Sequence, residues 1–457
     1  MSDIRSLGSR RELFVDHYLV ETLDGCDLRL NPPERREVVF QVEHPGENAC
    51  TACYNLTRNP DDDRILLYYR GFYPIGERLA DWAESQTANL AFSDDGVHFE
   101  RPSLGLVEFE GSRDNNIFYR GYEAHNFLVF RDDNPAADPQ QRFKAVGGSA
   151  KNRLYGFTSA DGVHWNRLQE EPLDITGAFD SANVPLWDPH ARCYRLFSRY
   201  FEEIDGQRVR AIQSCTSEDF VHWTDAVPHQ YAEGVELEQF YTNATVPCPG
   251  AEHLLISCPK RFFPERVLNT EGMDYPGEGL SDAAFMTSRD GVHWDRTFRQ
   301  AWVRPGLDQR NWTHRNCTPA VGILETAPDE WSMYISEHYG WDDNRLRRLA
   351  VPPHRFASLH ADVPGGEVLT PPLTFEGGEL YLNFATSSGG SVQAEILGAD
   401  GRPLPGYRLE DSPTLYGDAL SRAVRWAGDR PAGPLSGQAV RLRLVLRDAD
   451  VYALQFT

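Results

Sequence analysis

The sequence predicts an all-β protein in which a five-bladed β-propeller is followed by a C-terminal β-sandwich. The first observation is compositional: 37 Gly and 30 Pro beside only 4 Met favour strands and turns over helices. The second is a turn phrase that occurs four times, and the third is a set of five strand starts that accompany it. Recurrence at this scale indicates an array of similar supersecondary units.

The turn phrase reads TSRDGVHW at residues 287–294, and its other copies begin at Ser93, Thr158 and Thr216. Each copy follows a strand-like run. Ser-x-Asp-Gly is typical of turns, because Asp bonds nearby backbone N–H groups and Gly tolerates positive φ. The same position of each copy holds a His, namely His98, His164, His222 and His293. Since equivalent positions of radially arranged units lie far apart, we interpret these His as structural and expect them to share no metal ion.

Five short apolar strands set the number of units. Four of them begin at Asn126, Asn183, Asn243 and Asn316, and Asn48 before ACTACYNL is the candidate fifth. A second strand, a third strand, the phrase and a fourth strand follow, which predicts four-stranded blades. The last unit has RRLAVPPHRFASL in place of the phrase.

Three segments follow from this pattern. Residues 1–40 are predicted to be an N-terminal strand segment, and residues 41–360 the propeller, which we expect to be the catalytic domain. In residues 361–457, runs such as GELYLNFAT and VRLRLVLRD alternate apolar and polar residues, as half-buried antiparallel strands do. This last segment is the predicted sandwich.

Charge and composition restrict the partners. The net charge of −23 argues against a nucleic acid or an anionic membrane and favours a small ligand that is neutral or locally steered. The N-terminal MSDIRSLGSRRELFVD has no apolar core of a secretory signal, which predicts a cytoplasmic location. The eight Cys are scattered and predicted to be free thiols, with no cofactor and no metal site. A structural calcium ion and a homo-oligomer stay open.

The repeated S-x-D-G-x-x-W turns, the five units and the C-terminal sandwich resemble the furanosidase-type glycoside hydrolases. These include invertases and inulinases, arabinanases and β-xylosidases, with mannoside phosphorylases as a further branch. The chain has no W-M-N-D-P-N-G near its start, no R-D-P in its middle and no E-C acid motif. The resemblance therefore implies a carbohydrate-active propeller with a small-molecule carbohydrate substrate, but it does not supply a catalytic set.

The catalytic residues are predicted from blade geometry. First strands begin, and second strands end, at one face of a propeller, so the polar residues at these points should converge there, opposite the turn phrases. Glycosidic hydrolysis needs two carboxyl groups, one protonated and one ionised. We expect Asp180 to be the ionised group, because its place resembles that of the first-strand acids of the furanosidase propellers. Glu238 is the preferred acid, Glu337 is the next candidate, and Glu47 and Asp282 stay open.

Further polar residues at the same face are predicted to bind substrate: Glu47, Arg70, His125, Asn126, Asn183, Arg199, Tyr241, Asn243, Arg261, Asp282, His314 and His338. Guanidinium groups could bind a sugar carboxylate or a phosphate. Tyr241, Trp82 and Trp341 are candidates for stacking on a sugar ring. The expected function is an exo-acting glycosidase on a furanoside or a related small glycoside. The alternatives are a glycoside phosphorylase and a non-catalytic carbohydrate-binding propeller.

Overall fold

The computed structural model describes residues 4–43, 46–72, 85–148, 153–268 and 270–457. It divides the chain into two compact units, one formed by Met1–Pro32 with Val351–Thr457 and the other by Pro33–Ala350. The all-β prediction is confirmed, because the described residues form strands and a few 3-10 turns without an α-helix. No helix among them is long and apolar enough to cross a membrane. The 3-10 turns are Tyr122–Ala124, Pro139–Gln141, Gln309–Asn311, Leu409–Asp411 and Gly433–Leu435.

The first four strands belong to the unit that also holds the C-terminal segment. They are β1 (Arg5–Gly8), β2 (Arg11–Leu13), β3 (Thr22–Asp24) and β4 (Asp27–Leu30). The next strand, β5 (Glu34–Gln41), is the first of the second unit.

Within the unit Pro33–Ala350, the described residues form five antiparallel sheets of four or more strands, in chain order. The first sheet has β6 (Ala52–Arg58), β7 (Ile65–Phe72), β8 (Gln86–Ser93) and β9 (Ile117–Arg120). The second has β10 (Leu128–Arg131), β11 (Phe143–Gly147), β12 (Tyr155–Ser159) and β13 (Asn166–Arg167). The third has β14 (Val184–Asp188), β15 (Cys193–Ile204), β16 (Gln207–Ser217) and β17 (Val227–Pro228).

The fourth unit of the repeat is split between two sheets. A three-stranded sheet has β18 (Phe240–Thr242), β21 (Lys260–Phe263) and β22 (Leu280–Ala283). The fourth sheet has β19 (Thr245–Cys248), β20 (Ala251–Ser257), β23 (Met286–Ser288) and β24 (Trp294–Asp295). The fifth has β25 (Thr318–Pro319), β26 (Leu324–Ala327), β27 (Glu330–Glu337) and β28 (Arg345–Val351), and β5 pairs with β28 at its edge.

The turn phrases connect each sheet to the one before it. In the copy at Thr158, the Ser159 Oγ accepts a hydrogen bond from the Gly162 N–H, and the Asp161 Oδ1 accepts bonds from the next two backbone N–H groups. The hydroxyl of Tyr68, in the first sheet, then donates to the Gly162 carbonyl at 2.8 Å. Tyr334 of the fifth sheet makes the same bond to Gly96, in the turn of the first, at 2.9 Å. The phrase is therefore a structural anchor, as predicted, and it joins the last sheet to the first.

The initial strands of the five sheets also line one cavity. Its wall includes residues 56–58, 128–131, 184–187, 245–247 and 321–325, which lie in or next to β6, β10, β14, β19 and β25. Five strands around one cavity are what a radial arrangement of blades would produce. The closed five-bladed ring itself stays a prediction.

The described residues of the other unit form one network of ten paired strands. Its later strands are β29 (Ala357–Ala361), β30 (Gly366–Leu369), β31 (Leu373–Phe375), β32 (Leu380–Gly398), β33 (Asp418–Val424) and β34 (Val440–Phe456). The long strands β32 and β34 pair with each other, and β1 to β4 add to β31, β34, β30 and β29. Phe14, Phe384 and Trp426 are among its fully buried core residues. The N-terminal strands therefore belong to the C-terminal fold, and the two packed layers of a sandwich stay a prediction.

Candidate active site

Five sheets contribute to a second cavity, at the predicted face. Its lining comes from β6 and the end of β7, from the segments before β10 and β14, from β18 and β21, and from the residues around β25 and β27. The residues are Ala52, Cys53, Tyr54, Arg70, Asn126, Asp180, Ser181, Ala182, Tyr241, Thr242, Lys260, Arg315, Thr318, Pro319, Ser336 and Tyr339. Four of the predicted site residues are among them, namely Arg70, Asn126, Asp180 and Tyr241.

Asp180 is the only carboxylate that lines this cavity among the described residues. Its Oδ1 lies 3.0 Å from the Nε2 of His125, whose Nδ1 lies 3.0 Å from the Gln86 Oε1. The Asp180 side chain is 64 % exposed, whereas His125 is buried. The hydrogen bond with His125 lowers the pKa of Asp180, and the Arg199 and Arg70 charges add to this effect. Burial lowers the pKa of His125 to about 4. Asp180 is therefore ionised at neutral pH.

A short hydrogen-bond chain holds the strand starts together behind the cavity. The Asn126 Oδ1 accepts bonds from the Arg70 Nη1 at 3.0 Å and from the Cys53 thiol at 2.7 Å. The Asn126 Nδ2 donates to the Ser181 carbonyl at 2.8 Å, and the Ser181 Oγ donates to the Tyr241 carbonyl at 2.7 Å. This series of hydrogen bonds runs from the first sheet to β18, the strand that precedes the fourth sheet. It therefore fixes the cavity wall.

The backbone of the wall is itself unusual. Cys53, Asn126 and Arg315 all have left-handed conformations, with φ of 57°, 51° and 59°. Non-glycine residues adopt this region at a cost, and such residues cluster at functional sites when the surroundings hold them in place. Here the hydrogen bonds of Asn126 supply that constraint.

Cations surround the aromatic ring of Tyr241. The Lys260 Nζ lies 4.1 Å from the ring centroid, and three guanidinium carbons lie 5.0–5.9 Å from it, those of Arg210, Arg199 and Arg315. The Arg315 Nη1 donates to the Tyr339 hydroxyl at 2.9 Å. The Nε atoms of Arg70 and Arg199 are buried without a hydrogen-bond partner. With Asp180 as the one carboxylate of the described lining, the cavity carries an excess of positive charge.

The two predicted acids lie in ion pairs outside this cavity. Glu238 pairs with Arg261 at 2.8 Å and also contacts the buried Arg296. The Glu337 side chain is 1 % exposed and accepts bonds from Arg345 at 3.0 Å and Arg347 at 2.9 Å. Neither residue is part of the cavity lining. The structure therefore does not bring either acid together with Asp180.

The remaining predicted carboxylates are also paired with arginine. Asp282 forms a two-point ion pair with Arg261, at 2.9 and 2.8 Å. The Glu47 side chain is fully buried, where Arg101 donates to it at 2.8 Å and Tyr69 forms a further hydrogen bond. Arg261 is thus occupied by carboxylates rather than directed into the cavity.

The predicted amides and imidazoles have mainly structural contacts. The buried Asn183 donates to the Phe179 carbonyl at 2.8 Å, and the buried Asn243 donates to two backbone carbonyls at 3.3 Å. His338 lies between Asp308 and Asp343, each at 2.8 Å. Burial and the nearby Arg315 lower the pKa of His314 to about 3, so this imidazole is neutral.

The predicted stacking aromatics differ in their placement. Trp341 is buried, and its indole N–H donates to the Arg310 carbonyl at 3.1 Å. Trp82 lies outside the described residues. Tyr241 is half-buried and lines the cavity.

Lys260 and Tyr339 line the cavity but were absent from the predicted site. Lys260 precedes Arg261, and neighbouring strand residues point to opposite faces. The run PKRF contains this pair of cations, so the signal was present, but the sequence does not show which of the two faces inward.

Comparisons with known proteins were made for the sequence and for the fold. No family model and no curated protein matches the sequence. Among solved structures, an N-acetylgalactosamine deacetylase from F. plautii, in complex with blood group B trisaccharide, is 12 % identical with a TM-score of 0.45; the match covers 72 % of this chain and 96 % of that one.

Two further solved structures cover similar or larger shares of the chain. A β-1,2-mannobiose phosphorylase from Listeria innocua is 12 % identical with a TM-score of 0.44, over 72 % of this chain and 98 % of that one. An exo-β-1,3-galactanase from Phanerochaete chrysosporium is 9 % identical with a TM-score of 0.41, over 92 % and 100 %. Likenesses this low carry no argument about function, so the function is argued from the cavity itself.

Proposed function

We propose that this protein is a carbohydrate-active enzyme that cleaves a glycosidic bond with phosphate as the attacking group, a glycoside phosphorylase. The observation that carries the proposal is the charge pattern of the cavity. One carboxylate, Asp180, and three basic side chains, Arg70, Lys260 and Arg315, line it among the described residues. Hydrolysis would need two carboxyl groups at the reacting bond. Phosphorolysis needs one, because phosphate supplies the nucleophile and requires only a cationic subsite.

The cations suit this role by their type and their placement. Guanidinium groups bind phosphate oxygens through two parallel N–H bonds, and Lys acts as a point charge beside them. Arg70 and Arg199 each keep a buried Nε without a partner. Positive charge that is already desolvated stabilises an oxyanion more strongly than exposed charge does.

In the proposed step, a phosphate oxygen bonds to the anomeric carbon while the bond from that carbon to the leaving oxygen breaks. The Asp180 carboxyl donates its proton to the leaving oxygen, and the products are a sugar 1-phosphate and the released alcohol. Asp180 is ionised in the empty cavity, partly because Arg199 and Arg70 lower its pKa. The proton comes from the dihydrogen phosphate that binds to these cations: it passes to the Asp180 carboxylate and from there to the leaving oxygen, while the attacking phosphate oxygen becomes part of the sugar 1-phosphate.

The second candidate is the exo-acting hydrolase on a furanoside or related small glycoside. The contact of His125 with Asp180 favours it, because a carboxylate kept ionised suits a general base or a nucleophile. The cations would then bind an acidic group of the sugar, such as a uronate. Binding without cleavage is the third reading.

A panel of p-nitrophenyl glycosides, furanosides included, tests these candidates with and without phosphate. We expect release of p-nitrophenol that requires phosphate, with the sugar 1-phosphate detected by phosphorus NMR. Asp180→Asn should lower kcat/KM roughly a thousandfold. Asp362→Asn is the matched control, because it removes a carboxylate 3.2 Å from His360 that is not among the lining residues of this cavity. Release that is independent of phosphate would refute phosphorolysis and support the hydrolase.

A further inference from the structure

Lys260 is a buried amine without a carboxylate partner. It is 3 % exposed, lines the cavity and lies with its Nζ 4.1 Å from the Tyr241 ring centroid. None of the ion pairs or side-chain hydrogen bonds of the described chain involves its amine. The other buried lysine of the described chain, Lys144, differs in this respect: it contacts the Asp132 carboxylate and donates to the Gln141 carbonyl at 3.2 Å.

The groups that face Lys260 come from several elements, and the charged ones among them are three guanidinium groups. They are Arg199 on β15, Arg210 on β16, Tyr241 on β18, Arg315 before β25, the Cys53 thiol on β6 and the neutral His314. Burial and the Arg315, Arg199 and Arg210 charges lower the pKa of the Lys260 amine well below its usual range, while Cys53 opposes this effect. An ammonium at this place would repel three guanidinium groups at close range.

We propose that Lys260 is a neutral amine while the cavity is empty and takes up a proton when an oxyanion binds. An anion beside the amine replaces the missing carboxylate partner, and it also offsets the charges of Arg199 and Arg315. Both effects stabilise the ammonium. Lys260 is then a binding residue that becomes positively charged when the anion binds. This proposal rests on the anion subsite of the proposed function, but not on phosphate being the attacking group.

The coupling has a definite sign. Because binding raises the pKa of the amine, protonation and anion binding stabilise each other, and each reduces the free-energy cost of the other. Between the pKa values of the empty and the occupied cavity, anion affinity should fall by about tenfold per pH unit as the pH rises, the slope for one linked proton. At a pH below the pKa of the amine in the empty cavity, Lys260 is already protonated. The anion affinity should then no longer depend on pH through this residue.

Isothermal titration calorimetry with inorganic sulfate tests the proposal. Sulfate takes up no proton of its own near neutral pH, so any proton that is bound enters the protein. Titrations of the full chain in two buffers that differ in ionisation enthalpy give the number of protons taken up per sulfate. We expect close to one for the wild type. We expect none for Lys260→Arg, which still binds sulfate because a guanidinium stays charged.

Three further variants define the site of protonation. Lys260→Met should take up no proton and should bind sulfate at least tenfold more weakly. Lys144→Arg is the matched control, since it alters a buried lysine that already has a carboxylate partner, and its proton uptake should equal that of the wild type. His314→Gln should also leave the uptake unchanged.

Sulfate binding by the wild type without proton uptake would overturn the proposal, whether or not the variants fold. Unchanged uptake in Lys260→Arg, or its loss in His314→Gln, would also overturn it. Failure of sulfate to bind would overturn the anion subsite and this proposal with it. Glycoside cleavage without a phosphate requirement would refute phosphorolysis alone and leave the role of Lys260 intact.

Discussion

Glu238→Gln distinguishes a catalytic acid from a structural ion-pair partner. Glu238 joins two arginines that differ in their other contacts. Arg261 also forms a two-point pair with Asp282, so it keeps a carboxylate when Glu238 is replaced. Arg296 has a side chain that is 1 % exposed, and Glu238 is its carboxylate partner among the described residues. The substitution therefore leaves one buried guanidinium without an opposite charge.

The structure sets the size of the expected effect. Removing one partner of a buried ion pair costs about 3–5 kcal/mol. Arg296 keeps a bond to the Phe285 carbonyl at 3.2 Å, and Glu238 is 19 % exposed, so we expect a loss of about 2–3 kcal/mol, below that range. Because a unit of this size unfolds with an entropy of about 0.7 kcal/mol/K, the loss corresponds to a decrease in Tm of roughly 3–5 °C.

Differential scanning calorimetry and the glycoside assay, run well below the Tm, measure the two roles separately. We expect Glu238→Gln to lose stability and to keep kcat/KM within a fewfold of the wild type. Glu203→Gln is the matched control, because Glu203 pairs with Arg208 at 3.7 Å on the exposed surface, where such a pair contributes at most about 1 kcal/mol. An unchanged Tm together with a roughly thousandfold loss of activity would refute the structural role and make Glu238 the catalytic acid.

Three further predictions concern the site and the turns. His125→Phe removes the hydrogen bond that lowers the pKa of Asp180. Because Asp180 is the proton donor of the proposed step, activity falls as the pH rises through this pKa, so the alkaline limb of the pH–rate profile should move to higher pH. Gly162→Ala places a Cβ 2.5 Å from the Tyr68 hydroxyl at a φ of +76°, and calorimetry should show a loss of about 1–3 kcal/mol, reduced in a Tyr68→Phe background. Burial opposes ionisation of Asp161, but hydrogen bonds from the backbone N–H groups that follow Gly162 outweigh it and lower the pKa to about 2. The stability from these bonds is therefore present above about pH 4 and lost as the pH falls towards 2, and Asp161→Asn should weaken that acid dependence in urea titrations.

The turn phrases were predictable because their contacts are local. All the hydrogen bonds that close the turn at Asp161 join residues within a few positions of one another. A short motif is therefore enough to specify them. The third copy shows the limit of the motif: Phe220 replaces Gly, keeps a φ of 68° and is fully buried. The ring of Phe220 packs against the rings of Phe130 and Tyr194, which lie outside the phrase. The sequence pattern could therefore not indicate that packing.

The surroundings of the two candidate acids could not be predicted in the same way, because they depend on distant residues. Glu238 and Glu337 stand near strand ends, as the predicted site required. Their partners include Arg296 and Arg347, which other strands and loops bring to them. No local sequence pattern shows how many arginines will surround a carboxylate at a strand end.

The placement of the N-terminal strands was also beyond the sequence pattern. The segment 1–40 reads as one run of strands, but the chain divides it between two units. β5 completes the fifth sheet by pairing with β28, whereas β1 to β4 join the sheet of the C-terminal segment. The strands that pair here lie hundreds of residues apart in the chain. Alternation of apolar and polar positions does not show which distant strands pair or in which register.

The charge of the whole chain and the charge of the cavity have opposite signs, a contrast that supports the proposed anion subsite. The net charge of −23 predicts no attraction for anions over the surface. Inside the cavity, Asp180 is the one carboxylate of the described lining, beside Arg70, Lys260 and Arg315. Like charges held together in a partly desolvated site repel one another, which costs folding free energy. An anion that binds there removes this repulsion, so the ligand contributes stability that the empty protein lacks. A cavity built mainly to pack or to bind a neutral sugar would gain nothing from such an arrangement.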